Sequence, residues 1–325
     1  MYRYLLAGLL FILGTLTGFI PERSYAADVY PSRPITLVVP FPPGGGTDIV
    51  ARVIAQHLTT RFGWNVVVEN RAGASGSIGL KSAANAAPDG YTIVLGQASN
   101  LIIDPLYNDK ESLVPQLDPI VQTSSFPLVI LVDAKSTMRT FEDILSAARQ
   151  KPGQISFANV GNGSMPHLIA LDIEQRTGVS FLHVPYRGNG PAMNDLRAGL
   201  THVFASSSAA AAELAKAGRV HIAAATSLKH SRFFKDSPTI SDVIPGYSAV
   251  SWHGLLAPKG TPREIIDLIN RNVNAVLQDP DLRANFDSQA LDVVGGTPEQ
   301  FQAMLDHEAA RWGETVSKVN KGAQK

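Results

Sequence analysis

Cysteine is absent from all 325 residues, which excludes disulfide staples, thiolate metal ligation and thiol nucleophiles together. The fold must be held by apolar burial alone, and a chain of about 300 residues can supply that, more naturally as two lobes than as one. Net charge is absent too, because 28 Lys and Arg balance 28 Asp and Glu. With no basic excess and only 7% aromatic residues, neither a phosphate-tracking face nor a base-stacking platform is in prospect, so nucleic acid is excluded as a partner. An anionic small molecule would have to be attracted by local dipoles and not by an overall field.

Catalytic and cofactor signatures are missing as well. The eight histidines include no His-x-x-x-His or His-Glu-x-x-His pair, so metal-ligand spacing is lacking and neither a metal nor another cofactor is expected. Neither nucleotide fingerprint, G-x-x-x-x-G-K-[ST] or G-x-G-x-x-G, occurs. Gly73-Ala74-Ser75-Gly76 lacks the spacing of a nucleophile elbow. A cleft hydrolase of small esters would have only His167 or His253 as its base; both read first as packing or hydrogen-bonding residues and second as residues lining the cleft, and no catalytic residue is assigned.

Long apolar runs are scarce. The run from Leu5 to Ile20 follows Arg3 and ends at Pro21; at about 16 residues it is short of the roughly 20 needed to span a bilayer. With small residues at Ser24 and Ala26 it reads as a signal peptide over residues 1–26, cleaved after about Ala26. A single membrane anchor is the competing reading, and Gly8, Gly14 and Gly18 weigh against it. Later apolar segments, such as Ile35 to Val39 and Pro127 to Val132, are strand-sized.

What is present is an alternation of short β-branched runs with helical periods, the grammar of an α/β fold with a mostly parallel sheet. Strand, helix, strand is read at Ile35 to Pro40, Thr47 to Phe62 and Asn65 to Glu69, with a helix near Ser77 to Ala86 and a strand at Tyr91 to Gly96. A break near Ser124 to Pro127 separates a second lobe, in which the alternation restarts at Leu128 to Val132. The expected division is a discontinuous lobe I of residues 27–126 and 250–325, a lobe II of residues 127–249, and a cleft between them at the carboxyl ends of the strands. Two amphipathic tail helices, Pro262 to Leu277 and Pro298 to Val319, should cover lobe I.

The loop Pro42-Pro43-Gly44-Gly45-Gly46-Thr47-Asp48 joins the first strand to the first helix. Glycines let the backbone approach a ligand closely, and the helix start leaves free N–H groups with a partial positive charge. Thr47 can cap or donate, while Asp48 is better placed to satisfy first-turn amides than to meet an anion. Asn159 to His167 forms a second such element in the other lobe, with Asn162, Gly163 and Ser164 as candidate contacts and Ser164 or Asn162 as the helix cap. Val184 to Pro191 forms a third, in which Tyr186 could wall the ligand and Arg187 is more naturally a solvated residue. By their place at strand ends, Gln97 to Asn100 and Ser206-Ser207-Ser208 are further candidates or plain turns.

Pro34 to Phe41, the Gly44 to Asp48 loop, Val67-Val68-Glu69-Asn70-Arg71, Ala87-Pro88-Asp89-Gly90-Tyr91, Gly161 to Ser164, His183 to Gly188 and Ser251-Trp252 resemble the Bug family, the tripartite tricarboxylate transporter receptors of the TctC type, from about Tyr30 onward. The resemblance implies a type II periplasmic-binding-protein fold, a monomeric periplasmic receptor that closes on a small carboxylate, and delivery to a permease of two membrane subunits. A membrane sensor is the alternative partner. Carried over by position, the ligand contacts would be Phe41, Gly44, Gly45, Gly46, Thr47, Asp48, Asn162, Gly163, Ser164 and His167, with Tyr186 near the rim. Gln97, Ser99 and Ser206 join them by location. Where relatives commonly read Asp-Asn, this chain reads Ser206-Ser207; losing that acid weakens the case for a ligand ammonium and favours mono- or dicarboxylates, possibly aromatic, over amino acids.

Overall fold

β-Branched and aliphatic runs set the strands, and glycines end the helices between them. The computed structural model describes residues 30–322, so the expected signal peptide lies outside the described residues. Strand β1 (Ile35–Val39) leads into α1 (Gly46–Phe62). Gly63 stops that helix in the left-handed region at φ 69°, where its N–H donates to the Thr59 carbonyl. β2 (Val66–Asn70), α2 (Ser77–Ala84) and β3 (Thr92–Gln97) follow, and both β2 and β3 pair with β1 in parallel.

After β3 the chain does not turn. A π-helical segment, Ser99–Ile103, runs directly into α3 (Asp104–Tyr107). The turn considered at Gln97 to Asn100 is thus the start of a helix, held by a 3.0 Å hydrogen bond from the Gln97 N–H to Asn100 Oδ1.

The expected break near Ser124 to Pro127 is also not a break, because β4 (Leu117–Asp133) runs straight through it for 17 residues. Next come α4 (Phe141–Gln150), β5 (Ser156–Asn159), α5 (Met165–Thr177), β6 (Leu182–Pro185), α6 (Asn189–Arg197), β7 (Val203–Ser207), α7 (Ser208–Lys216) and β8 (Val220–Ala225). The chain then returns through β9 (Val250–Pro258) to α8 (Arg263–Leu277), α9 (Pro280–Ser288), β10 (Asp292–Gly295) and α10 (Pro298–Gly322). From Leu117 to Pro127, β4 pairs with β9; from Leu128 onward it pairs with β7 and β8. The polar residues that look like a linker are buried and satisfied: Thr123 Oγ1 donates to the His253 carbonyl at 3.2 Å, and Ser124 Oγ lies 2.9 Å from His253 Nδ1.

Strand order is β2-β1-β3-β9-β4-β7-β5-β6, with β8 and β10 also paired to β4. The wings are parallel, as the alternation predicts, but every pairing made by β4 and β9 is antiparallel. The expectation of a mostly parallel sheet fails at that centre, where long strands cross and no helix intervenes.

Helix α10 does more than cover the first wing. It packs on β4, α3 and α8, and also on α5 of the second wing. Its Phe301 and Trp312 share one buried cluster with Val38 and Leu101 on one side and Phe157 and Leu168 on the other. Among the described residues no helix is long and apolar enough to cross a membrane.

Candidate functional site

A cavity of about 900 Å³ opens where the carboxyl ends of both wings face the β4–β9 crossing. That is at the upper end of the roughly 300–1,000 Å³ typical of small-molecule sites. Its wall is made from strand-to-helix loops, and the first is the glycine loop. Gly44 sits at φ 81°, a conformation that favours glycine. Gly45 and Gly46 have a different reason. Gly45 is extended at φ −80°, and a Cβ there would meet only the Pro42 carbonyl at 3.6 Å, while a Cβ at Gly46 would meet nothing within 4 Å. The protein scaffold leaves room for a Cβ at both positions, and both residues line the cavity.

Asp48 does not line the cavity. Its carboxylate turns into the loop, accepting from the Gly44 N–H, Arg52 Nε and Asn70 Nδ2 at 2.9 Å each. Asn70 Nδ2 also donates to the Phe41 carbonyl at 3.0 Å. Desolvation pushes the Asp48 pKa up, but the bonds from Arg52, Gly44 and Asn70 together outweigh it and leave the carboxyl below its ordinary value. The negative charge nearest the loop is therefore fixed, paired and turned away from the cavity.

In the second loop Asn162, Gly163 and Ser164 line the cavity. Ser164 caps α5, its Oγ accepting from the His167 N–H at 3.4 Å. His167 stands behind the wall: its Nδ1 accepts from the Gly163 N–H at 3.1 Å, which puts the proton of the neutral ring on Nε2. Burial, and then the neighbouring His183, lower its pKa to about 4. Gly163 is at φ 75°, and a Cβ there would strike Tyr107 Cδ1 at 2.6 Å; Tyr107 in turn sets its ring edge-on to His167, 5.5 Å between centroids.

Of the other sequence candidates, Phe41, Thr47, Gln97 and Ser99 line the cavity, as do Gly44, Gly45 and Gly46. Tyr186 does not; its hydroxyl donates to Asp195 at 2.7 Å, and Gly188 and Asn189 take its place on the wall. Ser206 is fully buried with its Oγ unpartnered, and its neighbour Ser207 faces the cavity instead. Alternation along β7 accounts for that exchange of one residue.

Sequence reasoning missed most of the floor, of which only His253 was weighed, as the lesser reading. Phe126 and Leu128 from β4 and Ser251 and His253 from β9 line the cavity, as do Gln289 and Leu291 from the turn between α9 and β10. Phe126 stacks on the His253 ring at 5.2 Å and 29°. Burial lowers the His253 pKa to about 4, and the neutral ring meets Ser124 Oγ through Nδ1 at 2.9 Å and Thr47 Oγ1 through Nε2 at 3.4 Å. Both nitrogens are thus occupied by protein hydroxyls. Asp104, the carboxylate on the wall, is paired with Lys110 at 2.9 Å.

No Lys or Arg is among the lining residues. Positive potential comes from backbone instead, since α1, α5, α6 and α7 all begin on the cavity wall. Of these, α1, α6 and α7 have no side-chain cap, so their first N–H groups are available to an anion. Among the described residues there is no group of three His, Asp or Glu side chains that could hold a metal ion.

Residues 50–321 match the family model described as the tripartite tricarboxylate transporter family receptor. Protein BugT of Bordetella pertussis is 36% identical over 299 residues, 90% of this chain and 90% of its own. Among solved structures, an R. palustris protein with adipate is 31% identical with a TM-score of 0.80, over 90% of this chain and 98% of its own. MatC from Rhodopseudomonas palustris with bound malate is 26% identical with a TM-score of 0.75, over 88% of this chain and 100% of its own. The architecture is the type II periplasmic-binding-protein fold, two α/β lobes with a cleft between them. By a match that spans most of its length and by these relatives, the chain belongs to the TctC-type receptors of tripartite tricarboxylate transporters, the Bug family.

Proposed function

We propose that this receptor is exported to the periplasm, captures one small mono- or dicarboxylate in the cavity and passes it to a permease of two membrane subunits. Lobe I is residues 27–126 and 250–325 and lobe II is residues 127–249, closing about the β4–β9 crossing. The observation that carries the reading is the convergence of four helix N-termini on a cavity without a basic side chain. One such contact is worth about 0.3 to 1 kcal/mol, up to ~2 in good geometry, whereas a micromolar complex needs roughly 8 kcal/mol. Several amides must therefore act on the same carboxylate while the apolar floor removes water.

Amides of Gly45 and Gly46 on one side and of Asn162 on the other grip the carboxylate, the N–H groups of Gly44 and Gly163 being held by Asp48 and His167, and Thr47, Gln97, Ser99 and the Ser164 hydroxyl complete the polar lining. The body of the ligand lies over the Phe126–His253 stack and Leu128, which suits an aliphatic or aromatic carbon skeleton. Adipate and malate, each seen with a structural relative, are both dicarboxylates and head the list of compounds to try. Ser206 and Ser207 supply no charge for a ligand ammonium, which disfavours amino acids. Asp48, His167, Tyr186 and Ser206 act from behind the wall. No step of bond making is assigned, since the acceptor nitrogen of His167 already takes the Gly163 N–H and both nitrogens of His253 lie against protein hydroxyls.

A thermal-shift screen over a carboxylate library tests this directly. A ligand at 100 times its dissociation constant stabilises by about 2.7 kcal/mol, which is readily visible as a raised Tm. A best ligand that carries no carboxylate would refute the anion grip.

A further inference from the structure

The turn between α9 and β10 puts Gln289 and Leu291 on the cavity wall, yet it belongs to the first wing, since α9 packs on α1 and α8 and β10 pairs with the Gln122 to Ser125 stretch of β4. Between those two residues stands Ala290. It is buried and adopts φ 53°, a left-handed conformation that is uncommon for a residue with a Cβ. Its methyl group is part of a buried cluster whose other members, among them Val129, Phe204 and Phe234, belong to the second wing and the segment after β8.

Charged residues flank this plug on both sides. Arg232, from that same segment after β8, sends Nη2 to Asp287 Oδ1 at 2.5 Å and Nε to Asp292 Oδ1 at 2.6 Å. Its guanidinium also lies over the Phe233 ring, 4.1 Å from the centroid. One arginine of the second wing thus holds both ends of a first-wing turn that forms part of the cavity wall.

We infer that Arg232, with Asp287, Asp292 and the Ala290 plug, is a latch between the two halves of the receptor, and that it is the positioning residue for the wall formed by Gln289 and Leu291. A glycine at position 290 would relieve the backbone but remove the methyl group that docks. Opening the cleft must break both ionic ties and withdraw that methyl group together, so the latch and the wall move as one. The value of the wall to a ligand rests on the proposed function; the latch does not, and it is tested without ligand.

The absence of cysteine makes the test clean. Spin labels on Val67→Cys in β2 and Leu182→Cys in β6, exposed positions on the two edge strands of the sheet, report the separation of the wings. In Arg232→Met the distance distribution moves to longer values and the amides of Ala290 and Leu291 exchange with solvent at least about tenfold faster. Asp287→Asn combined with Asp292→Asn removes the ionic ties while leaving Arg232 on Phe233, and shifts both readouts the same way. A distance distribution unchanged in both variants overturns the latch; a shifted distribution with unchanged exchange at Ala290 and Leu291 overturns the positioning of the wall.

Discussion

The backbone N–H of Gly44 donates a 2.9 Å hydrogen bond to the carboxylate of Asp48, so the acid of the glycine loop serves as the loop's own brace. Asp48→Ala leaves Gly44, Asn70 and Arg52 without their shared acceptor and should destabilise the protein by about 1–3 kcal/mol in urea unfolding. The pH dependence has a definite sign. Because the folded pKa lies below the ordinary 3.8, the contribution is complete above that value and is lost as pH falls through the lower folded one. The variant should therefore show a shallower acid limb than the parent.

Gly45→Val separates fold from function. The added Cβ meets no closer protein atom than the Pro42 carbonyl at 3.6 Å and the backbone is already extended, so unfolding should stay cooperative with a Tm within a few degrees. Gly45 lines the cavity, and affinity for the best carboxylate should fall at least about tenfold, or 1.4 kcal/mol. Calorimetry on the folded variant that returns the parent affinity would remove the loop from the site.

The glycine loops were legible in the sequence because strand, glycine turn and helix start are contiguous, and physics assigns each residue type locally. The floor was not. Phe126 and His253 are 127 positions apart in the numbering and meet only through the β4–β9 register, in which Ser124 opposes His253. Polar Ser124 and Pro127 read locally as a linker; only the long-range pairing shows that a histidine satisfies the first. Helix α9 did carry a local signal, Asp279 capping ahead of Pro280, but nothing near Gln289 or Leu291 announces a cavity wall. Asp48 and His167 lie in the first turns of α1 and α5, Ser206 near the end of β7 and Tyr186 just after β6, at junctions where neighbouring residues face inward and outward, which sequence spacing alone does not sort.

Burial holds both His253 and His167 near a pKa of about 4, against 6.5 ordinarily. Between those values the unfolded chain binds protons that the folded chain does not, so stability falls as pH drops from about 6.5 toward about 4. The slope reaches at most about 1.4 kcal/mol per pH unit for each histidine. His253→Gln removes one of the two contributions, and urea titrations across this window should give a visibly smaller slope. An unaltered slope would mean that His253 is not the buried neutral group described.

Gly163→Ala should cost about 1–3 kcal/mol, through a left-handed φ of 75° and a Cβ 2.6 Å from the Tyr107 ring. Adding Tyr107→Ala relieves the clash but not the backbone strain. The double variant should therefore be less destabilised than the two single effects added together, with a coupling in the range of about 0.5–3 kcal/mol expected for residues in contact. Simple additivity would show that the Tyr107 contact is not what demands glycine.

In the proposed function, backbone dipoles at helix N-termini, without a basic side chain, hold a carboxylate. Isothermal titration of the parent protein with the tightest dicarboxylate from the thermal-shift screen and with its uncharged diamide, which keeps the carbon skeleton and removes the charge, tests this. Measurable binding of the acid is expected, with affinity lost or reduced at least about a hundredfold, or 2.7 kcal/mol, for the diamide. Equal affinity for the two, or tighter binding of the diamide, would contradict it.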